Sequence, residues 1–377
     1  MEVYFILKIV WWLLLGVLLM GIAVMVGMDM GVGAMLRYVG RNDSERRIAL
    51  NIIGPHWDGN QAWFILGGGA IFAAWPLVYA TAFSGFYIVM LLLLWSMILR
   101  PLGFEYRSKI SNNKWRNIWD YCLVISGIIP MLIFGIAIGN IIQGIPFHFD
   151  WILTSFYTGS FTGLFNSFSV LCGFLSVSLS FYMGGAILMS GGDGNLAIRA
   201  RRASLAGGFL AVILFTIGGF LVSDMNGYEI ISGPAPELAQ TPLHQVVNII
   251  PAGFLMNFFD KPILWFIPAI AYTGMIFGLI SVFTKRAILG WWFGSLTWIG
   301  VISTVGAAMF PFILISSTNP SASLTIWNAG SSQLTLIWML CLSIIFIPAI
   351  IAYTSWAFWV MRGKVNSDVI KSSDHTY

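Results

Sequence analysis

The chain has 377 residues, of which 58% are hydrophobic and only 9% charged, against about 25% charged in ordinary globular proteins. So little charge cannot clothe a soluble protein of this length, and the chain reads as an all-α integral membrane protein. No basic or Gly/Ser-rich tail points to nucleic acid or disorder. The net charge of +4 says little by itself, because in a membrane protein the placement of charge matters more than its sum.

A membrane-crossing helix needs about 20 mostly apolar residues. Runs of this kind predict nine spans, at 5–36, 51–74, 78–99, 117–140, 163–190, 203–223, 262–284, 289–314 and 334–361. The first lacks the basic start and small-residue cleavage site of a signal peptide, so it is expected to stay in the mature protein. From Gly59 to Leu99 there are 41 residues without a charge or histidine, room for two passes with a turn at Trp75-Pro76. The uncharged run Trp151–Gly192 is divided into an outer loop and one pass. The 75 uncharged residues from Ala287 to Met361 take two passes, separated by the Ser/Thr/Asn-rich stretch 316–332.

Lysine and arginine collect on the cytoplasmic side of membrane proteins. Nine passes place 37–50, 100–116, 191–202, 285–288 and the tail after 361 on one face, and these hold 17 of the 19 basic residues. Only Lys8 and Lys261 fall on the other face. This predicts an outer N-terminus and a cytoplasmic C-terminus. Tryptophans near span ends (Trp11, Trp12, Trp115, Trp119, Trp291, Trp292, Trp356 and Trp359) read as interfacial belts.

Cys122, Cys172 and Cys341 are far apart in apolar stretches, so neither a disulfide framework nor a zinc site is indicated. His56, His148, His244 and His375 are scattered, and no metal site is expected. His56 opens span two, but no histidine on another span lies at its depth, which disfavours haem ligation by this chain.

Two acids remain inside spans once the ends are set aside. Asp29 lies eight residues before Arg37 and Asp58 seven beyond Asn51, so helical rise puts them roughly 12 and 10 Å below the same face. An acid in hydrocarbon needs a partner, a cavity or a task. One reading is a proton relay. The other is a pair of acids hydrogen-bonded across helices to Asn60, Gln61 or backbone, and depth alone does not choose between them. Gly27 and Gly31 form a G-x-x-x-G, followed by Gly33, and span two carries Gly67-Gly68-Gly69; these read as close helix packing. Arg100, followed by Pro101, is expected to end span three and snorkel to the interface. Arg100 and Glu105 are secondary candidates for guiding protons to the mouth.

Three stretches carry a family resemblance: Met28-Asp-Met-Gly-Val-Gly-Ala-Met, Gly40-Arg-Asn-Asp-Ser-Glu-Arg-Arg, and Gly54-Pro-His-Trp-Asp-Gly-Asn-Gln-Ala-Trp63. With Leu99-Arg-Pro-Leu-Gly-Phe-Glu-Tyr-Arg-Ser-Lys109 and the later Met309-Phe-Pro-Phe, the chain resembles subunit II of the cytochrome bd-type quinol oxidases. Trp57, Gly59, Asn60 and Trp63 belong to the most specific of these motifs.

The resemblance implies a complex that oxidises quinol, reduces dioxygen to water and builds a proton motive force without pumping. It implies low-spin haem b, high-spin haem b and haem d in a partner subunit I, which also oxidises the quinol, and no catalytic residue in this chain. A structural ubiquinone in this subunit and a small single-span third subunit occur in some relatives. The implied architecture is a single polytopic domain over 1–377 in a bacterial inner membrane. It comprises a four-helix bundle over 1–142, a second bundle plus one peripheral helix over 143–361, and a tail at 362–377. The family's proton path includes acids matching Asp29 and Asp58, which favours the relay. Many relatives carry a further acid where this chain has Val26, so no role for that acid carries over. A scaffold subunit and a secondary transporter or channel are the rival readings.

Overall fold

The computed structural model describes residues 2–360 and 363–365. The predicted tail at 362–377 therefore lies almost wholly outside the described residues. The chain is helical with three short antiparallel hairpins. Helix α1 (Glu2–Val39) is followed by α2 (Asp43–Ile53), α3 (Trp57–Ala74), α4 (Pro76–Gly85), α5 (Tyr87–Tyr106) and α6 (Asn113–Gln143). Then come α7 (Ser167–Gly191), α8 (Gly194–Ser223), α9 (Pro262–Phe283), α10 (Ala287–Met309) and α11 (Gln333–Val360). Among the described residues, eight helices are long and apolar enough to cross a membrane, and the bent pair α3–α4 makes nine if it counts as one span.

Most predicted spans coincide with these helices, and three departures have local causes. The run 51–74 is interrupted at Gly54-Pro55-His56, so α2 is a separate helix capped by the Asn42 side chain, which accepts from the Glu45 amide. At Trp75-Pro76 the chain bends by 118°, and Phe86 breaks the next run again. Proline fixes its own φ and cannot donate, so it starts α4 afresh. The run 289–314 is helical only to Met309; Phe310-Pro311 ends it, and Phe312–Leu314 is strand β5.

Helix α1 sits between α6 and α7. In lipid, helices associate through close packing rather than water exclusion, and glycine makes that packing possible here. A Cβ on Gly31 would overlap the Ser180 carbonyl of α7, and one on Gly184 would fall 2.6 Å from the Val32 nitrogen. On α6, a Cβ at Gly127 would collide with the backbone of α1 at Met30 and Ala34. Gly27 is looser, with Ser180 and Trp298 at ordinary contact distance. The Gly67-Gly68-Gly69 expectation is corrected: only Gly67 meets a neighbour, Ile22, while Gly68 and Gly69 face open space.

The hairpins gather at the end opposite the arginines: β1 (Phe147–Phe149) with β2 (Ser155–Tyr157), β3 (Gly227–Ser232) with β4 (Val246–Ile250), and β5 with β6 (Leu324–Thr325). Ser316 Oγ and Thr318 Oγ1 both donate to the Phe147 carbonyl, and Gln245 donates to the Ser321 and Ser323 carbonyls, which ties the three together. Trp11 is corrected from an interfacial belt residue to a core one. It is buried, and its Nε1–H donates to the Leu336 carbonyl of α11 at 3.0 Å.

Candidate functional site

Asp29 is placed by the packing of α1. At 3.6 residues per turn, a residue two positions from Gly31 points about 200° away from it. With Gly31 pressed against α7, the Asp29 side chain is turned toward α3 and α5. One turn ahead, α1 is π-helical over Ile22–Val26, a local irregularity frequent at functional sites.

The Asp29 side chain is fully buried. Asn60 Nδ2 donates to its Oδ2 at 2.9 Å, and Arg100 Nη2 lies 3.8 Å from the same oxygen. Oδ1 has no hydrogen-bond partner among the described residues. Arg100 is corrected from a snorkelling span end to a buried residue, because three groups hold its guanidinium inside: Asp29, the Met30 sulphur at 3.1 Å from Nη1, and the Trp57 ring at 5.6 Å. Trp57 in turn stacks on Phe104 at 4.7 Å. Helix α5 also runs straight through Pro101 to Tyr106.

Around this group the orphaned buried atoms are mixed. Asp29 Oδ1 and Asn60 Oδ1 are acceptors, while Trp57 Nε1, Gln61 Nε2 and Arg100 Nη2 are donors. A mixed set of this kind suits water molecules that bridge donor to acceptor. Met30, whose sulphur meets Arg100, also belongs to a buried apolar cluster with Val26 and Met131, packed by Phe64, Met97 and Phe134.

The structure separates the two predicted acids. Asp58 is in the first turn of α3 on an exposed position, and its carboxylate has no ion pair or hydrogen bond among the described residues. The break at Gly54-Pro55-His56 is the reason: the helix that holds Asp58 starts at Trp57, so counting rise from Asn51 does not apply. Asn60, two residues on, reaches Asp29. Glu105 is also exposed, on α5. Gly59 meets α11, where a Cβ would overlap the Tyr353 hydroxyl, and Trp63 is buried against Gly21.

A second buried carboxylate went unread in the sequence. Asp120, near the start of α6, takes Arg107 Nε at 2.6 Å and Arg46 Nη1 at 2.8 Å, with Arg37 at 4.0 Å. Asp43 accepts from Arg107 and Arg116, each at 2.8 Å. Glu45 Oε1 pairs with Arg199 at 2.6 Å and Oε2 accepts from the Arg41 amide. Burial alone would raise the Glu45 carboxyl, but hydrogen bonds from Arg199 and from the Arg41 and Asn42 amides, with the Arg199 charge, hold it below its ordinary value.

Of the four histidines, His375 lies outside the described residues. His56 packs its ring 4.2 Å from Phe358, His148 stacks on Phe156, and His244 bonds Thr241 in a turn at the hairpin end. Each of these three rings packs against or bonds a neighbour of its own. Among the described residues no group of three or more His, Cys, Asp or Glu converges as a metal site.

Eight long apolar helices among the described residues, the first carrying a buried carboxylate held by Asn60 and Arg100, define a polytopic membrane protein with an intramembrane acid. A sequence model of the cytochrome bd terminal oxidase subunit II family matches residues 7–361, and the chain belongs to that family. It is 44% identical over 377 residues to cytochrome bd-I ubiquinol oxidase subunit 2 of Escherichia coli strain K12, covering 99% of each chain. It is 42% identical to a probable cytochrome oxidase subunit 2 of Haemophilus influenzae, again over 99% of each. Its fold matches a chain in the structure of bd oxidase from Geobacillus thermodenitrificans, with a TM-score of 0.72 over 94% of this chain and 98% of that one, at 13% identity. Membership in an oxidase-subunit family sets aside the transporter reading.

Proposed function

We propose that this chain pairs with a haem-bearing subunit I in a bacterial inner membrane and delivers cytoplasmic protons to that subunit's oxygen-reducing site. The observation that carries the reading is Asp29: buried, hydrogen-bonded through one oxygen only, and joined by Asn60 to the turn of α3 that bears the exposed Asp58. The relatives' names supply the reaction class, ubiquinol oxidation by a terminal oxidase. Two quinols give up four electrons and four protons, and dioxygen takes four of each to become two waters. Release of quinol protons outside and uptake from the cytoplasm builds a proton motive force without pumping.

In this scheme Asp58 meets the partner or the inner water, and Asn60 holds Asp29 Oδ2 so that Oδ1 exchanges the proton. Arg100 keeps the carboxylate from leaving the pocket, and Glu105 adds negative charge near the mouth. The crowding of basic residues in segments 37–50, 100–116 and 191–202 supports an outer N-terminus and a cytoplasmic C-terminus. Low-spin and high-spin haem b and haem d belong to subunit I in this reading, as does the quinol-oxidising site. A structural ubiquinone in this chain, a small single-span subunit and the arrangement as two four-helix bundles with α11 peripheral complete it. Only Leu336 and Thr354 of α11 are buried, which supports the peripheral position.

The test is Asp29→Asn in the purified complex. Loss of a positioned proton-transfer group costs about 10²–10⁴ in rate, so quinol-driven oxygen uptake should fall at least tenfold while haem spectra and yield stay unchanged. Unaltered uptake refutes the relay. A loss of yield alone, seen also with Asp58→Asn, supports the scaffold reading.

A further inference from the structure

We propose that the basic rim where α5 meets α6 is a binding site for the phosphodiester of an anionic glycerophospholipid, whose acyl chains lie along exposed ridges of those two helices. The charge comes first. Arg37, Arg46, Arg107 and Arg116 share only two carboxylates, Asp43 and Asp120, within this network. Lys109 and Lys114, both exposed, add to the excess, and exposed Glu105 offsets one charge. Basic pockets at the end of membrane helices attract anionic headgroups.

The orphaned atoms point the same way. Around Asp29 they are donors and acceptors together. At the rim they are Arg107 Nη1, Ser108 Oγ, Arg116 Nε and Trp119 Nε1, all able to donate, with no orphaned carboxylate or amide oxygen among them. A donor-rich group around surplus arginines calls for an anion. Arg107 is 1% exposed and supplies field from within. The Arg116 and Arg37 side chains, 25% and 29% exposed, are placed to touch a headgroup.

The apolar surface next to the rim selects a lipid over a free anion. Tyr106, Trp119 and Trp115 form an aromatic cluster, with rings 6.2 and 5.7 Å apart, and Arg37 lies 4.1 Å over Tyr121. Aromatic groups of this kind sit at the headgroup level. From there Leu102 and Tyr106 on α5, and Ile118, Tyr121 and Ile125 on α6, are exposed at helical spacing along one face of each helix. They continue from the charged rim toward the hydrocarbon.

The experiment uses the intact complex in phosphatidylcholine nanodiscs containing phosphatidylglycerol with a photoactivatable acyl chain. Crosslinked peptides should concentrate in 102–125. Replacing both Arg37 and Arg116 by Gln should lower that yield roughly tenfold, since two charges near an anionic surface are removed. A photoactivatable phosphatidylcholine should label the segment weakly, and millimolar inorganic phosphate should not compete. Even labelling around all helices, or equal labelling by phosphatidylcholine, overturns the site, as does a rim covered by a partner subunit and therefore unlabelled. Full competition by inorganic phosphate makes it an anion site and not a lipid one. Labelling that rises only when Asp368 and Asp374 are both changed to Asn overturns it in favour of the chain's own tail as occupant. The wild-type labelling map decides the question even if the double variant fails to assemble.

Discussion

Asp29 and Asp120 are both acids with fully buried side chains, and their surroundings could hardly differ more. Asp120 has both oxygens engaged by arginines, with Arg107 and Arg46 within 2.8 Å. Asp29 has one oxygen held by an amide, an arginine at the longer distance of 3.8 Å, and one oxygen with no partner. A buried carboxylate whose two oxygens both accept from guanidinium groups ties helices together. One with an oxygen that meets no donor leaves room for a bridging water. Burial alone therefore does not separate the two acids, and the proposed relay rests on the count of their donors.

That contrast is most easily broken at Asp120. Asp120→Ala leaves Arg107 buried with Asp43 as its remaining carboxylate, and stranding a buried charge costs about 3–5 kcal/mol. The expected outcome is a large drop in thermal stability and in yield of the assembled complex, with near-normal turnover per haem in what survives. Asp29→Asn should show the reverse pattern, since asparagine can keep the Asn60 contact but cannot carry a proton. A tenfold or greater loss of turnover corresponds to at least about 1.4 kcal/mol of barrier. If both variants lose stability and neither loses turnover, the two sites are alike and the distinction drawn here fails.

The seat of Asp29 can be disturbed without touching its chemistry. Gly31→Ala forces α1 away from Ser180, and overpacking of this kind costs about 1–3 kcal/mol. Helix α1 would shift or rotate, so Asp29 and Asn60 should uncouple. The expected result is a moderate loss of stability together with a partial loss of turnover. Gly27→Ala, at a position with ordinary contact distances, is the control and should do little. Equal effects at Gly27 and Gly31 would contradict the packing account.

The unequal legibility of these features follows from their physics. Most of the long apolar helices were readable because apolar run length is a local property of the chain. Asp29 was readable because it lies alone in a long apolar helix. Asp120 was not, since it sits three residues inside a predicted span end and among charges that sequence treats as solvated. Only the fold brings Arg46, Arg107 and Arg37 around it. Arg100 was misread for the same reason: whether a long basic side chain reaches outward or inward depends on a carboxylate 71 residues earlier. Lys8 passed as an ordinary outer-face charge, yet it is buried with its ammonium donating to the carbonyls of Pro236, Leu238 and Trp327 at 2.9–3.0 Å. Backbone acceptors from distant loops leave no trace in composition. The break before Asp58 did have a signal, Gly54-Pro55, and a long apolar run concealed it.

The smallest expected effect sharpens the comparison from the outside of the rim. Glu45 belongs to the same charged layer as Asp120 but is partly exposed, so its pair with Arg199 should be worth about 0.5–1 kcal/mol. Its folded carboxyl is held below the ordinary value of 4.5. A depressed carboxyl contributes stability that is present above the unfolded value and is lost as pH falls through the folded one. Glu45→Gln has no charge to titrate there. The stability gap between the two proteins should therefore be constant from neutral pH down to about 5, and should close as the pH drops below 4.5. Thermal unfolding of both complexes across that window measures it. Raised salt should shrink the gap at neutral pH, because a partly exposed pair is screened where a buried one is not. The Asp120→Ala gap should stay nearly unmoved by the same salt, and a gap that responds equally in both variants would place the two acids in one electrostatic environment.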